Sequence, residues 1–391
     1  MNINWDIKKL PKSFWYSLFL ICGINGLLGF WMISGRIFSD FPAHIDILNF
    51  YLENEKFPYP PLYYAAFGFF GWVLPIEKSF EIGLLIIVIL GWGWKYILTY
   101  KYFDQKGRVE ALLPWLPVAF LFLFPVTIPW IEKSFFLGKF SPNVWHNGSS
   151  VLMWPFCFLL FTNTLDYLKG ESSSIWAIVI YSVIILLIKP SYLFGYVPGI
   201  LTALAIEKYS TRTWRVLIAY VTFILLLLWL SKILIFEGSA PSSIFYNFNS
   251  KGGVRIDPLG VWLEFSENLG WDLLSSFLLP MLIMVFYWQK LKTQKDFQLS
   301  AFVFLFSMIV FFSYSETGPG YLHGNFYWQI PVAFFLFLLV MIKHVLVIWK
   351  DEEKKSLSRF IKKNLVCMVF FIQVLSGIYY LFHFSYSGYF F

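Results

Sequence analysis

The 391 residues predict an all-α polytopic membrane protein, and three features of composition carry that prediction. Of the chain, 58% is hydrophobic, 22% is aromatic and only 14% is charged, where soluble globular proteins are roughly half apolar and a quarter charged. So few charges cannot clothe a water-soluble body of this size, and the mean hydropathy of +0.65 agrees. A soluble enzyme, a disordered scaffold and a DNA-binding domain are thereby excluded. The net charge of +7 does not point to nucleic acid, because the lysines and arginines form short clusters between apolar runs, not one basic face. Cys22, Cys157 and Cys367 each lie inside an apolar run, with neither metal-ligand spacing nor a disulfide framework.

About 20 apolar residues cross a bilayer as a helix. On that measure the runs place about eleven transmembrane helices, near 14–34, 80–99, 110–128, 150–165, 174–189, 191–206, 214–236, 271–288, 298–314, 327–348 and 364–382. The first has a basic start but a long apolar region and no small-x-small cleavage site, so it reads as a retained span and not a secretory signal. No internal repeat is visible. One membrane domain over 1–391 is expected.

An odd span count puts the termini on opposite sides, and the charge bias orients them. With the N-terminus cytoplasmic, about 19 of the 30 basic residues fall inside, in the clusters at Lys8–Lys12, Lys101–Arg108, Lys169, Lys208–Arg215, Lys290–Lys295 and Lys350–Lys363. The expected setting is the plasma (inner) membrane, multi-pass, with the C-terminus extracytoplasmic. Residues 61–75 are apolar but too short for a comfortable span, and counting them as one would put Lys101–Arg108 outside. They read as an interfacial helix on the outer surface, with Tyr63, Tyr64 and Trp72 at headgroup level. The first extracytoplasmic segment then runs 35–79.

Chemistry is expected outside, where the loops are longer and more polar. In the first outer segment Asp40 follows the first span closely, with His44 one helical turn on and Asp46 beyond it. A carboxylate beside a membrane helix is costly unless it faces water or a partner. Asp40 therefore reads as a general base or metal ligand, or as a helix N-cap with Pro42 in the first turn. In the second outer segment Lys139, Asn143, His146 and Asn147 gather before the fourth span, a set suited to a phosphate or to sugar hydroxyls. The bland alternative is an interfacial loop anchored by Trp145. Asn147-Gly-Ser is also a glycosylation sequon. Lys189, at the outer end of an apolar run, either meets an incoming phosphate or snorkels. The segment 237–270, with Arg255 and Asp257, reads as a lid. The last outer loop brings Glu316, His323, Asn325 and Gln329 among glycines and aromatics, a mixture suited to sugar recognition.

Ser39-Asp40, then Tyr59-Pro60-Pro61-Leu62-Tyr63-Tyr64, then a span ending at Lys101–Arg108, occur in an order that resembles the integral-membrane glycosyltransferases of the GT-C fold. The resemblance covers roughly 14–108. It lacks the acidic pair of some relatives, since Phe41 follows Asp40, and the lysine that others carry where Tyr59 stands. What the resemblance implies is a polyprenyl-phosphate-linked sugar as donor, a glycan or lipid acceptor, membrane lipid as surroundings and no nucleic acid. Asp40 would be the base of an inverting displacement, with Lys139, Lys189 or Arg255 supplying the phosphate-binding cation. A divalent metal on Asp40, His44 and Asp46 is an optional aid. The alternatives are a polysaccharide polymerase or a transporter of lipid-linked glycans, and then a non-catalytic assembly factor.

Overall fold

The structure is a computed structural model that describes residues 10–74, 76–104, 114–128, 135–171, 174–207, 209–236, 253–351 and 356–388. Lys8, Lys9, Lys106, Arg108, Lys208, Lys354 and Lys355, the start of the expected span 110–128, and residues 237–252 of the expected lid lie outside them.

The described chain folds as α1 (Lys12–Ile33), α2 (Phe41–Glu53), α3 (Pro61–Val73), α4 (Ser79–Phe103), α5 (Trp115–Leu121), α6 (Gly148–Leu168), α7 (Ile175–Ile188), α8 (Ser191–Ile206) and α9 (Thr211–Phe236). The strand β1 (Gly253–Ile256) comes next, then α10 (Gly260–Phe265), α11 (Leu269–Leu291) and α12 (Lys295–Ser313). After these come β2 (Tyr314–Thr317), a 3-10 turn (Gly318–His323), α13 (Gln329–Asp351) and α14 (Leu357–Ser387). Eight of these, α1, α4, α6, α9 and α11 to α14, are long and apolar enough to cross a membrane. Helices α7 and α8 are apolar but shorter, at 14 and 16 residues. The fold is that of a multi-pass, mostly helical membrane protein. The all-α expectation misses one small ribbon, in which β1 and β2 pair antiparallel with Val254 opposite Glu316 and Arg255 opposite Ser315.

Small residues set the closest helix crossings, as they do where lipid replaces water as solvent. Helices α1 and α4 run antiparallel, with Gly26 against Ile89, Gly29 against Leu85 and Gly93 against Cys22. Helices α8 and α12 do the same through Gly195 on Ser307 and Gly199 on Val303. Helix α6 runs parallel to α4, since Gly91 meets Val151 and Tyr102 meets Phe158 farther along both. The first residues of α6 are thus sunk beside the middle of α4.

One expectation needs correction. The span at 110–128 is not one helix. Its described part is the seven-residue α5 followed by chain without regular structure at 123–128. Pro114 and Pro117 are tolerated only at the start of α5, and Pro125 cannot continue it and biases Phe124 toward an extended backbone. Irregular backbone at membrane depth survives only if protein satisfies it. Here Phe124 N donates to the Gln373 carbonyl at 3.2 Å and Val126 N to the Ser275 carbonyl at 3.0 Å. Thr127 N donates to Ser376 Oγ at 3.1 Å, and Gly377 of α14 leaves room for the Phe122 carbonyl. Residues 135–147 then form a buried irregular loop that leads into α6.

Helix α3 occurs where the interfacial helix is expected and packs on the first turns of α4 as an antiparallel hairpin. Gly71 packs on Phe80 and Gly83 on the Phe67 carbonyl. The Pro61 end of α3, with the buried Tyr63 and Tyr64, therefore lies away from the α3–α4 turn.

Candidate functional site

The cluster forms where six pieces of chain converge: the start of α2, the Pro61 end of α3, the start of α6, the α7–α8 turn, β2 and the residues just before α13. Asp40 occupies the N-cap position of α2 without capping it. The Ser39 hydroxyl instead accepts from Phe41 N at 3.3 Å, so the N-cap reading of Asp40 does not hold. One carboxylate oxygen, Oδ1, is buried without a hydrogen-bond partner. The other, Oδ2, lies 3.6 Å from His44 Nε2, one turn along α2. The opposite ring nitrogen, Nδ1, is 2.9 Å from the Tyr64 hydroxyl. Proline at the start of α2 and of α3 fixes both helix entries, and so the relative placement of Asp40, His44 and Tyr64.

Tyr63 stands edge-on to His44, with ring centroids 5.0 Å apart. Its buried hydroxyl has no hydrogen-bond partner and lies against Gly148, the first residue of α6, where any Cβ would collide with it. Burial, then the Asp40 charge, holds the Tyr63 phenol well above its ordinary value. It is a neutral donor aimed at the start of α6.

Asn147 caps α6, accepting through Oδ1 from Ser150 N at 3.0 Å. The same oxygen accepts from Lys189 Nζ at 2.9 Å, and Lys189 also reaches Ser149 Oγ at 3.2 Å. Asn147 is buried, so the sequon is not presented for modification. Lys189 follows the end of α7, and its ammonium stands 5.4 Å from the centre of the Trp328 ring. It turns into the bundle and does not snorkel. Burial pushes its pKa down to about 8, against the opposing pull of Asp40 and Glu316.

His146 is packed among Phe136, Trp328 and Phe384. Burial takes it down to about 4 against the pull of Asp40, with Lys189 adding to the fall, so it is a neutral imidazole at physiological pH. Glu316, on β2, accepts from Asn325 Nδ2 at 2.9 Å. Burial raises it to about 6, with Asn325 and Lys189 pulling the other way. Asp40, His146 and Lys189 thus lie within electrostatic reach of one another, and Lys189 is within reach of Glu316 as well. The first turn of α6 adds the positive end of a 21-residue helix.

Other expected site residues are employed elsewhere. Asp46 is exposed on α2, unlike its neighbour His44. Asn143 accepts from the buried Lys95 at 2.7 Å and donates to the Phe120 and Leu123 carbonyls. Lys95 itself sits in a box of Trp92, Trp154 and Phe335, 4.3–4.7 Å from each ring centre. Asn143 therefore pins the loop that ends at Asn147. A cavity of about 20 Å³ beside it, lined by Lys95, Ser150 and Trp154 among others, has room for one water. Lys139 points to the Val126 carbonyl at 3.4 Å and to the Trp271 ring. Arg255 pairs with Asp257 at 3.0 Å, bonds Ser315 Oγ at 3.2 Å and stacks over Tyr321, which ties the ribbon together. His323 offers its carbonyl to Trp328 Nε1 at 3.1 Å, and burial lowers its imidazole pKa. Gln329 donates to the Phe326 carbonyl at 2.8 Å. These two position Trp328 and the head of α13. Among the described residues, no group of three or more His, Cys, Asp or Glu stands close enough to hold a metal ion.

Tyr64, Ser149 and Trp328 belong to the cluster and were not expected in it. Tyr64 had a signal, its place beside Tyr63. Ser149 and Trp328 had none, because only the fold brings Lys189 to them.

The arrangement defines a class: a helical membrane protein with a partly buried lysine, carboxylate and helix terminus gathered at one end of its bundle. Compared with protein-family models, curated proteins and solved structures, the chain matches none.

Proposed function

We propose that the protein is a membrane glycosyltransferase that moves a sugar from a polyprenyl-phosphate donor to a glycan or lipid acceptor on the extracytoplasmic face. The observation that carries this reading is the Asp40 carboxylate, which caps no helix, keeps one buried oxygen unbonded and lies within electrostatic reach of Lys189. In the proposed step the acceptor hydroxyl attacks the anomeric carbon. The new C–O bond forms as the bond to the phosphate oxygen breaks, with inversion. The hydroxyl proton passes to Asp40, which is general-base catalysis. The bonding electrons leave with the phosphate, whose charge is met by the Lys189 ammonium and the first turn of α6. Neutral Tyr63 and His146 offer hydrogen bonds without competing charge.

Reconstituted protein should release free polyprenyl phosphate from one member of a panel of prenyl-phosphate sugars when acceptor is present. Asp40→Asn should lower that rate by about 10²–10⁴, the scale of a lost general base, while eluting as a folded species. Transport of lipid-linked glycan that survives Asp40→Asn would contradict the reading. Loss of transfer on adding EDTA would show that the step also needs a divalent metal.

A further inference from the structure

His44 is engaged at both ring nitrogens. Nδ1 lies 2.9 Å from the Tyr64 hydroxyl, Nε2 lies 3.6 Å from Asp40 Oδ2, and Tyr63 stands edge-on to the ring. Two helix starts produce this grip. Asp40 and His44 are four apart at the head of α2 and so share a face, and Tyr64 comes from the first turn of α3. A neutral imidazole carries one ring proton, and the hydrogen bond at one nitrogen decides where that proton sits.

Two constraints give the same answer here. Tyr64 is 5% exposed, and burial, then the Asp40 charge, pushes its phenol up, so the hydroxyl keeps its proton. Among the described residues, His44 Nδ1 is the one hydrogen-bond partner of that hydroxyl. Accepting a proton from Nδ1 would therefore leave the phenol proton buried with nothing to bond, which is costly. The same tautomer would also turn the Nε2 lone pair toward the Asp40 carboxylate. Tyr64 thus donates, Nδ1 accepts, and the ring proton sits on Nε2, facing Asp40.

We infer that, with Asp40 the base of the proposed transfer, Tyr64 and His44 are its positioning residues: Tyr64 fixes the His44 tautomer, and the Nε2 proton holds Oδ2 so that the carboxylate keeps one orientation. The pair also withholds the imidazole as a rival base, because the ring's lone pair is spent on Tyr64. At 3.6 Å the contact with Asp40 is long, and such bonds tighten when substrate is bound.

Nitrogen NMR of the full chain carrying isotope-labelled histidine reads the tautomer without turnover, at about pH 8, above the ordinary imidazole value of about 6.5. His44→Gln removes, and so assigns, the His44 signals. The expected spectrum has the proton on Nε2 and a hydrogen-bonded acceptor at Nδ1. In Tyr64→Phe the Nδ1 signal should move to the position of an unbonded acceptor. In the transfer assay Tyr64→Phe should lower kcat roughly tenfold, the scale of one lost hydrogen bond, while the donor KM holds, because neither residue bonds Lys189 or Asn147. His44→Gln, whose amide donates where Nε2 does, should keep more of kcat than His44→Leu at equal thermal stability. A proton on Nδ1, or an Nδ1 signal that Tyr64→Phe leaves in place, overturns the proposal. So does equal kcat in His44→Gln and His44→Leu, which would reduce the imidazole to packing. The expected spectra with no transfer by wild type would fault the Asp40 reaction and not the tautomer lock.

Discussion

Asp40 is available because Ser39 does its capping work. A carboxylate left half-bonded beside a buried lysine is costly in any medium poorer than water, and such groups cluster at functional sites. The neighbouring lysine gives the site a pH signature. Lys189 carries its charge below about 8 and loses it above, so affinity for an anionic donor should fall as pH rises through that value. A donor KM that climbs between pH 7 and 9 with little change in kcat is the expected pattern. Lys189→Arg should flatten the climb, because a guanidinium stays protonated. Lys189→Ala should raise the donor KM at every pH. Gly148→Ala should act at a distance from the carboxylate: its Cβ displaces the Tyr63 hydroxyl, and transfer should slow while Tyr63→Phe relieves the clash and restores thermal stability.

At the scale of elements, the close crossing of α8 and α12 rests on Gly195 and Gly199. A side chain at Gly199 meets the backbone nitrogen of Val303 at 2.9 Å, so Gly199→Leu should cost about 1–3 kcal/mol, the range for overpacking, read as a lower midpoint in detergent melts. Most of the elements were legible in the sequence, because twenty apolar residues in a row have few other fates. The passage between α4 and α6 was not. Its composition is that of a span, and hydropathy counts side chains without seeing that Pro114, Pro117 and Pro125 interrupt the helix. Nor can hydropathy foresee that α11 and α14 would supply the missing backbone partners. The small ribbon escaped for a similar reason: the partner of Arg255 is 60 residues away, at Ser315.

The site was half legible. Asp40, His44 and Tyr63 stood out because they lie within one short stretch with telling prolines. His146 and Asn147 are legible as part of one loop's set, Glu316 and Asn325 as part of another's and Lys189 by itself, and only the fold brings the three together. Lys139, Asn143 and Arg255 looked equally suitable as residue types, but their charges and amides are spent on holding loops in place.

Over the whole molecule, the helix directions collect the cluster at one end, while Lys101, Lys169, Arg212, Arg215, Lys290, Lys292 and Lys350 mark the other. The charge bias then proposes the cluster end as extracytoplasmic. On a cysteine-free background, Asn54→Cys, exposed just after α2, should react with a membrane-impermeant maleimide in intact cells. Thr293→Cys, exposed between α11 and α12, should react only after permeabilisation. The reverse pattern would invert the orientation and move the proposed reaction to the cytoplasmic face.

The most direct test of the central claim is the release of polyprenyl phosphate by purified protein in liposomes, with wild type and Asp40→Asn compared on the same donor and acceptor. Release coupled to glycosylated acceptor in the wild type, and its loss in a folded Asp40→Asn protein, is the predicted result. Equal release by the two proteins would contradict it.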